Sequence, residues 1–249
     1  MVLTQILVTG GTGLVGSAIA REAQNNHKYQ ILALSRSASS ANDRPGLQYV
    51  KGNCLNQQDL KNALQTNLSV VHTVGTLIEQ SKKGIEGSYE RLNRDAAISV
   101  ARAMAEQYDG KKRQCLVYFS AAKAPPSWLL DERYMRMKRE AEAALMGQEF
   151  KNKIRVVVFR PGLMYSYHRR QLMLPFAFSL IVGAAILRPL SSYIPNQLQY
   201  LTDRPLLDNE VARATFEALE NEEVEGIYEI DHIRELAKAW EKKQLAKSE

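Results

Sequence analysis

A glycine-rich stretch near the start of the chain, ILVTGGTGLVGSAIA at residues 6–20, restricts the possible folds most strongly. An apolar run of strand length precedes Gly10, Gly13 and Gly16, and a helical pattern follows. Glycine costs conformational entropy on folding, so three at this spacing need a structural reason. In a strand–turn–helix unit, the first allows a tight turn. The second lets a pyrophosphate approach the backbone, and the third lets the helix lie close against the sheet.

Apolar runs of strand length alternate with helical patterns along most of the chain. The runs CLVYF and IRVVVF are continuously apolar, which is typical of parallel strands that are covered on both faces. The alternation predicts an α/β fold, a Rossmann-type doubly wound parallel sheet with right-handed crossovers. The predicted strands are residues 5–9, 30–35, 47–51, 69–74, 114–119 and 154–159, and the predicted helices are residues 14–24, 57–65, 89–107 and 134–146.

After Arg160 the alternation gives way to helical and irregular patterns. We interpret residues 1–249 as a single Rossmann domain in which residues 161–230 form a small C-terminal elaboration on the substrate side, with a short strand at 226–230. Of the 249 residues, 45% are hydrophobic and 24% are charged. This composition is typical of a globular domain with a sizeable core.

The glycines lie where a nucleotide-binding motif requires them, between a first strand and a first helix. A pyrophosphate would meet the helix N-terminus, where free amides and the helix dipole favour negative charge. We therefore predict a dinucleotide site, and the alternative is a structural turn in an empty Rossmann-like domain. The predicted contacts in this turn are Gly10, Thr12, Gly13, Leu14, Val15 and Gly16.

The end of the second strand predicts which dinucleotide binds. An Asp or Glu at this place would bind the ribose hydroxyls of NAD, but Ser35, Arg36 and Ser37 stand there instead. A guanidinium and two hydroxyls suit a 2′-phosphate, which favours NADP(H) over NAD(H). In the alternative interpretation Arg36 lies in solvent or stacks on the adenine.

The third and fourth strands supply the remaining predicted contacts to the adenosine half. Asn53, in KGNC, would hydrogen-bond the adenine edge through its side-chain amide. Val74 and Gly75, in HTVG, would pass beside the adenosine. We interpret His72 as a core histidine rather than a base.

A YxxxK pattern follows the fifth strand. Tyr134 and Lys138 would share one helix face, where an ammonium lowers the pKa of a phenol and makes it usable as an acid or base. Ser120, at the end of the strand, could hydrogen-bond a substrate oxygen. The pattern is common, since Tyr108 and Lys112 also match it, and the alternative is a packing aromatic beside a solvated lysine.

Charge and cysteine content restrict the class of protein. The net charge of +6 is compatible with an anionic membrane surface, a phosphorylated ligand, nucleic acid or simple solubility, and its basic pairs are scattered. Cys54 and Cys115 match no CxxC motif, and the four histidines have no metal-ligand spacing. We therefore expect no metal site, no disulfide scaffold and a reducing compartment.

One long uncharged stretch, LMLPFAFSLIVGAAIL at residues 172–187, bears on membrane contact. A spanning helix needs about 20 apolar residues, and this stretch contains Pro175 and Gly183. We expect a buried helix lining a pocket, with a membrane-surface or partner contact as the alternative. We expect no secretory signal, because the first strand begins within a few residues of Met1.

Three motifs together, GGTGLVG, the YxxxK and FRPG at residues 159–162, resemble the short-chain dehydrogenase/reductase superfamily, in its extended or atypical branch. The resemblance covers nearly the whole chain. It implies that Ser120, Tyr134 and Lys138 are catalytic and that Lys138 also contacts the cofactor. By the same resemblance, the residues near the nicotinamide would be Arg160, Pro161 and Gly162.

The segments YFSAAKAPP, RYMRMKREAEAAL and RPGLMYSYHRR are similar to a fungal mitochondrial subunit of the coenzyme Q biosynthetic complex, and more distantly to the Rossmann-type accessory subunit of respiratory complex I. This resemblance implies an NADPH-binding protein on the matrix side of the mitochondrial inner membrane, in or beside ubiquinone biosynthesis. Its partners would be a quinone-like lipid or membrane surface and a multiprotein complex, and not DNA. Two alternatives remain: a cytoplasmic NADP-dependent reductase or epimerase with a small soluble substrate, and a cofactor-sensing regulator or RNA-binding protein.

Overall fold

Parallel strands form the centre of the molecule. The computed structural model describes residues 3–26, 28–64, 68–123, 130–168, 181, 183, 184, 187 and 202–248. Its strands are β1 (Thr4–Thr9), β2 (Tyr29–Ser35), β3 (Leu47–Lys51), β4 (Ser69–His72), β5 (Gln114–Phe119), β6 (Ile154–Phe159), β7 (Met164–Tyr165), β8 (Leu206–Leu207) and β9 (Gly226–Tyr228). In the described residues, seven of them form one parallel sheet in the order β3-β2-β1-β4-β5-β6-β9, and β7 pairs with β8 separately.

Helices cover both faces of the sheet. They are α1 (Leu14–Gln24), α2 (Gln57–Ala63), a π-helical turn (Glu90–Asp95) that continues into α3 (Ala96–Glu106), α4 (Glu132–Leu145), α5 (Gln148–Lys151), α6 (Asp208–Glu220) and α7 (Ile230–Ser248). Ile6 and Val8 of β1 pack with α1, α6 and α7, whereas Leu7 packs with α2, α3 and α4 on the other face. Successive strand residues point to opposite faces, so a continuously apolar strand fits a sheet covered on both sides.

Most element boundaries agree with the sequence predictions. The strands predicted at 47–51, 114–119 and 154–159 and the helix at 14–24 have the predicted limits. Four predictions are wrong in part. The strand predicted over 69–74 ends at His72, and the strand predicted over 226–230 ends at Tyr228. The helix predicted over 89–107 begins with the π-helical turn, and the helix predicted over 134–146 begins two residues earlier because Asp131 caps it by accepting from the Arg133 amide at 2.8 Å.

The predicted elaboration at 161–230 contains β7, β8, α6 and part of the sheet edge. Most of the uncharged stretch at 172–187 lies outside the described residues, so its predicted burial remains a prediction. Among the helices that the structure describes, none combines the length and apolar character that crossing a bilayer requires.

Candidate nucleotide site

A pocket of about 410 Å³ opens at the carboxyl ends of β1 to β4, next to the place where the strand order reverses between β1 and β4. Open parallel sheets bind ligands at such a reversal, because the loops on either side diverge and leave a crevice. The pocket is lined by Gly10, Thr12, Gly13, Leu34, Ser35, Arg36, Ser37, Gly52, Asn53, Cys54, Thr73, Val74, Gly75 and Leu92.

Gly10 makes the predicted tight turn. Its φ of +79° is strained for any residue with a side chain. A Cβ there would also lie 2.7 Å from Oγ1 of Thr73. Gly13 is the N-cap residue of α1 and lines the pocket, so the missing side chain leaves the backbone accessible to a ligand.

Gly16 has a different neighbour from the one predicted. A Cβ at Gly16 would lie 2.6 Å from the carbonyl oxygen of Gly10 and 2.7 Å from Cα of Gly11, so the helix lies against the preceding turn rather than against the sheet. Gly11, which the three-glycine motif does not include, contacts the sheet instead, and its Cβ would lie 2.5 Å from that of Ala33. The turn is therefore packed between β2 and α1.

The first turn of α1 supplies amides for an anion. Leu14, Val15 and Gly16 precede the first amide with a helical partner, that of Ser17, which donates to the Gly13 carbonyl at 3.0 Å. Amides at this position of a helix have no intrahelical acceptor and favour a phosphate. None of these three residues lines the described pocket, so their contact with a nucleotide stays a prediction.

Hydroxyl groups cluster where β2 ends. Oγ of Ser35 lies 2.9 Å from Oγ1 of Thr12 and 3.3 Å from Oγ of Ser37. Arg36 stands between the two serines, lines the pocket and forms no ion pair or hydrogen bond with another described residue. Its guanidinium keeps all its donors for a ligand.

Asn53 lines the pocket, and one of the two polar atoms of its side-chain amide is already hydrogen-bonded. Its Oδ1 accepts from the Leu55 amide at 3.1 Å, and its backbone amide donates to Oδ2 of Asp59 at 2.7 Å. Its Nδ2 has no hydrogen-bond acceptor among the described residues. An amide nitrogen held in this way can donate to a ring nitrogen of adenine, as the sequence predicts.

Lys138 is buried at the edge of the pocket. It is 4% exposed, its Nζ donates to the carbonyl oxygen of Phe119 at 2.7 Å, and the same atom lies 3.2 Å from where a Cβ of Gly75 would be. Burial lowers the pKa of Lys138 to about 7. This lysine is not the solvated charge of the alternative interpretation.

Tyr134 lies on the same helix but has a different environment. Its ring packs edge-on against that of Tyr89, with centroids 6.3 Å apart. The expected lowering of its pKa is wrong, because burial raises the pKa of Tyr134 to about 12. The Lys138 ammonium does not act on it, since Phe119 holds that group. The catalytic role of the pair stays a prediction.

Ser120 and Arg160 meet at a buried carboxylate rather than in the described pocket. Nε of Arg160 donates to Oε1 of Glu142 at 3.0 Å, and Arg139 contacts both Glu142 and Ser120. Burial alone would raise the pKa of Glu142, but hydrogen bonds from Arg160 and Ser120 hold it below its ordinary value. Pro161 and Gly162 continue from this network and, like Arg160, do not line the pocket.

His72 is a core residue, as predicted. It is 1% exposed, and its Nδ1 lies 2.8 Å from Oγ1 of Thr9. Burial, helped by the charge of Lys138, lowers the pKa of His72 to about 3, so the ring is neutral near pH 7.

Sequence reasoning missed several groups of the site. Asn93 stabilises the loop after β4. Its Oδ1 accepts from the Thr76 amide at 3.0 Å, and its Nδ2 donates to the Thr76 carbonyl oxygen at 3.0 Å. The residues next to Asn53 in KGNC and next to Val74 in HTVG could have been predicted as pocket residues from their positions in the chain. The contact of Asn93 with Thr76 depends on tertiary packing, which no local pattern indicates. The missed lining residues are Leu34, Gly52, Cys54, Thr73 and Leu92.

A family model described as NAD(P)H-binding matches residues 10–171, a range that contains all the lining residues of the pocket. The chain belongs to this NAD(P)H-binding family. Membership in this family supports the binding of a nicotinamide dinucleotide.

Two curated relatives match this family member along nearly its whole length. MIOREX complex component 2 of Saccharomyces cerevisiae is 24% identical over 280 residues, which cover 93% of this chain and 99% of the yeast protein. An uncharacterized chloroplastic protein of Arabidopsis thaliana is 27% identical over 249 residues, which cover 94% of this chain and 77% of the plant protein.

Solved structures confirm the predicted fold class. UDP-glucose 4-epimerase of Thermus thermophilus, in complex with NAD, superposes with a TM-score of 0.62 at 16% identity, covering 96% of this chain and 83% of the epimerase. A short-chain dehydrogenase family protein of Francisella tularensis superposes with a TM-score of 0.60 at 21% identity, covering 92% of this chain and 97% of that protein. The predicted resemblance to short-chain dehydrogenase/reductases is therefore confirmed at the level of fold, and the family that the chain is shown to belong to is the NAD(P)H-binding family.

Proposed function

We propose that this protein is an NADP(H)-binding atypical short-chain dehydrogenase/reductase that acts in or beside ubiquinone biosynthesis at the matrix side of the mitochondrial inner membrane. The cofactor preference depends on Arg36, a cation that lines the pocket without an acidic partner among the described residues. Ser35 and Ser37 flank it, and no carboxylate stands at the end of β2 to bind the ribose of NAD.

Substitution of Arg36 tests the preference. We expect Arg36→Asp to weaken NADPH binding by about tenfold or more and to leave NADH binding equal or stronger, because a charge-assisted contact to phosphate is replaced by repulsion. Arg44→Asp is the matched control, since Arg44 is exposed and does not line the pocket. Titration by intrinsic fluorescence measures both nucleotides. An unchanged NADPH affinity in Arg36→Asp would refute the role of Arg36 in binding the 2′-phosphate.

The ubiquinone part of the proposal depends on the resemblance of YFSAAKAPP, RYMRMKREAEAAL and RPGLMYSYHRR to a coenzyme Q biosynthesis subunit. The yeast relative is itself named as a component of a complex, and the plant relative is named as chloroplastic, which supports an organellar protein with partners. The net charge of +6 would favour contact with an anionic membrane surface, and a quinone-like lipid is the proposed ligand beside the nucleotide.

Complementation tests this part. Cells that lack the protein should contain less ubiquinone, and the wild-type chain should restore it. Gly13→Asp should fail, because its carboxylate would occupy the backbone surface where the pyrophosphate would bind. Ala143→Asp is the matched control, since Ala143 is exposed on α4 and does not line the pocket. Normal ubiquinone in the deletion strain would refute the proposal.

A second candidate function is an NADP-dependent reductase or epimerase with a small soluble substrate. The observation that favours it is Lys138, whose ammonium lies beside Gly75 of the pocket wall and would reach a bound nucleotide. In this case Tyr134 would transfer the proton. Tyr134→Phe separates the two functions: if ubiquinone is still restored in cells, nucleotide binding matters and this tyrosine does not.

A further inference from the structure

The edge strand β3 carries a cation close to the hydroxyl cluster of β2. In the parallel register Ser35 pairs with Lys51, the last residue of β3, and the Gly52 amide donates to the Ser35 carbonyl at 3.2 Å. Paired residues of neighbouring strands lie about 4.8 Å apart. We infer that Lys51 is a second cation of the 2′-phosphate subsite, opposite Arg36 across the serine hydroxyls.

The pleat of the two strands directs both side chains to one face. Leu47 and Tyr49 of β3 pack in the core on the α1 face, and the period of two places Lys51 on that face as well. Ala33 of β2 packs in the same cluster, which places Ser35 there too. The contact between Ser35 and Thr12 of the β1–α1 turn confirms that this face leads to the nucleotide pocket.

Lys51 is uncommitted in the part of the chain that the structure describes. Lys28 and Lys61, on neighbouring elements, form ion pairs with Glu220 and Glu106. Lys51 is exposed and forms no ion pair or hydrogen bond with another described residue. A lysine stem long enough to cross one strand spacing can bring its ammonium to an anion held at Ser35.

The chemistry of the cluster fits a phosphate monoester. A guanidinium presents a planar pair of donors, an ammonium adds a compact charge from another direction, and serine hydroxyls donate between them. A ribose with a free 2′-hydroxyl carries no charge for the two cations to neutralise. Lys51 therefore raises specificity for NADP(H) without contacting the part of the nucleotide that NAD(H) shares. This inference rests on the proposed NADP(H) preference.

Two small nucleotides test the inference on the full chain. Calorimetry compares 2′,5′-ADP, which carries the phosphate, with 5′-AMP, which does not. We expect Lys51→Gln to weaken 2′,5′-ADP binding by about twofold to fivefold, the range for an exposed ion pair, and to leave 5′-AMP binding unchanged. Lys153→Gln is the matched control, because Lys153 is exposed and precedes the amino end of β6.

The outcomes separate this inference from the proposed function. Equal binding of both nucleotides to the wild-type chain would overturn the NADP(H) preference and the role of Lys51 with it. If Arg36→Ala removes the preference for 2′,5′-ADP but Lys51→Gln leaves it intact, the proposed NADP(H) preference stands. The role of Lys51 is then overturned. Equal weakening of both nucleotides by Lys51→Gln would also overturn it. Selective weakening of 2′,5′-ADP, reduced by added salt, would support it.

Discussion

Replacement of the buried Lys138 should make the protein more stable while it impairs the nucleotide site. Burial lowers the pKa of Lys138 from 10.5 to about 7. Each pKa unit corresponds to about 1.4 kcal/mol, so charging this group in the folded state costs roughly 5 kcal/mol. Its only described hydrogen bond is to the Phe119 carbonyl, and leaving that acceptor unpaired costs about 1–3 kcal/mol. We therefore expect Lys138→Met to stabilise the fold at pH 7 by about 2–4 kcal/mol.

The pH dependence of this gain has a definite sign. Between pH 7 and pH 10.5 the unfolded chain holds the proton of Lys138 and the folded chain does not, so wild-type stability rises with pH in that window. The advantage of Lys138→Met is therefore complete at pH 7 and below and disappears towards pH 10. Urea denaturation of both proteins at pH 7, 8.5 and 9.5 measures the difference.

Lys153→Met is the control for this experiment. Lys153 is exposed, so its replacement should leave both the stability and its pH dependence within experimental error. A Lys138→Met protein that is less stable than the wild type at pH 7, or whose stability difference does not change with pH, would refute the reasoning. Loss of nucleotide affinity in the stabilised variant would show that the buried ammonium is retained for binding.

Four further variants test the site. Gly16→Ala should lower the free energy of unfolding by about 1–3 kcal/mol, because the new Cβ overlaps backbone atoms. Gly13→Ala should stay near wild-type stability, because its Cβ would contact only one carbonyl oxygen, at 3.1 Å. Thermal unfolding measures both variants. Tyr134→Phe should change stability by less than about 0.5 kcal/mol in the same assay, since its hydroxyl has no hydrogen bond to a described residue. Glu142→Gln should cost about 1–3 kcal/mol near pH 7, and the difference should shrink as the pH falls and the wild-type carboxylate is protonated, as acid titration of urea-denaturation midpoints would show.

The sequence predicts those parts of the fold that depend on local patterns. The strand limits at 114–119 and 154–159 follow from continuous apolar runs, and the turn at Gly10 follows from its position between strand and helix. The π-helical turn at Glu90–Asp95 was not predicted. It lies where Asn93 bonds Thr76, and this contact joins residues from different elements that helical periodicity does not relate.

The catalytic segment shows the same limit. The spacing of Tyr134 and Lys138 correctly places both on α4, but it does not reveal that the Phe119 carbonyl holds the ammonium. Arg160 is likewise engaged by Glu142, a partner eighteen positions away in the chain. Burial and long-range pairing decide the protonation of these groups, and neither can be read from a motif.

The interlocked backbone of the glycine turn has a consequence for the kinetics of nucleotide capture. Gly11 packs against Ala33 and Gly16 packs against Gly10, so this packing keeps the backbone of the turn in the same conformation without a ligand. A binding site that is preorganised in the free protein loses little conformational entropy when the ligand binds. Association should therefore follow a single concentration-dependent phase without a slow rearrangement, and affinity differences between nucleotides should arise in their dissociation rates.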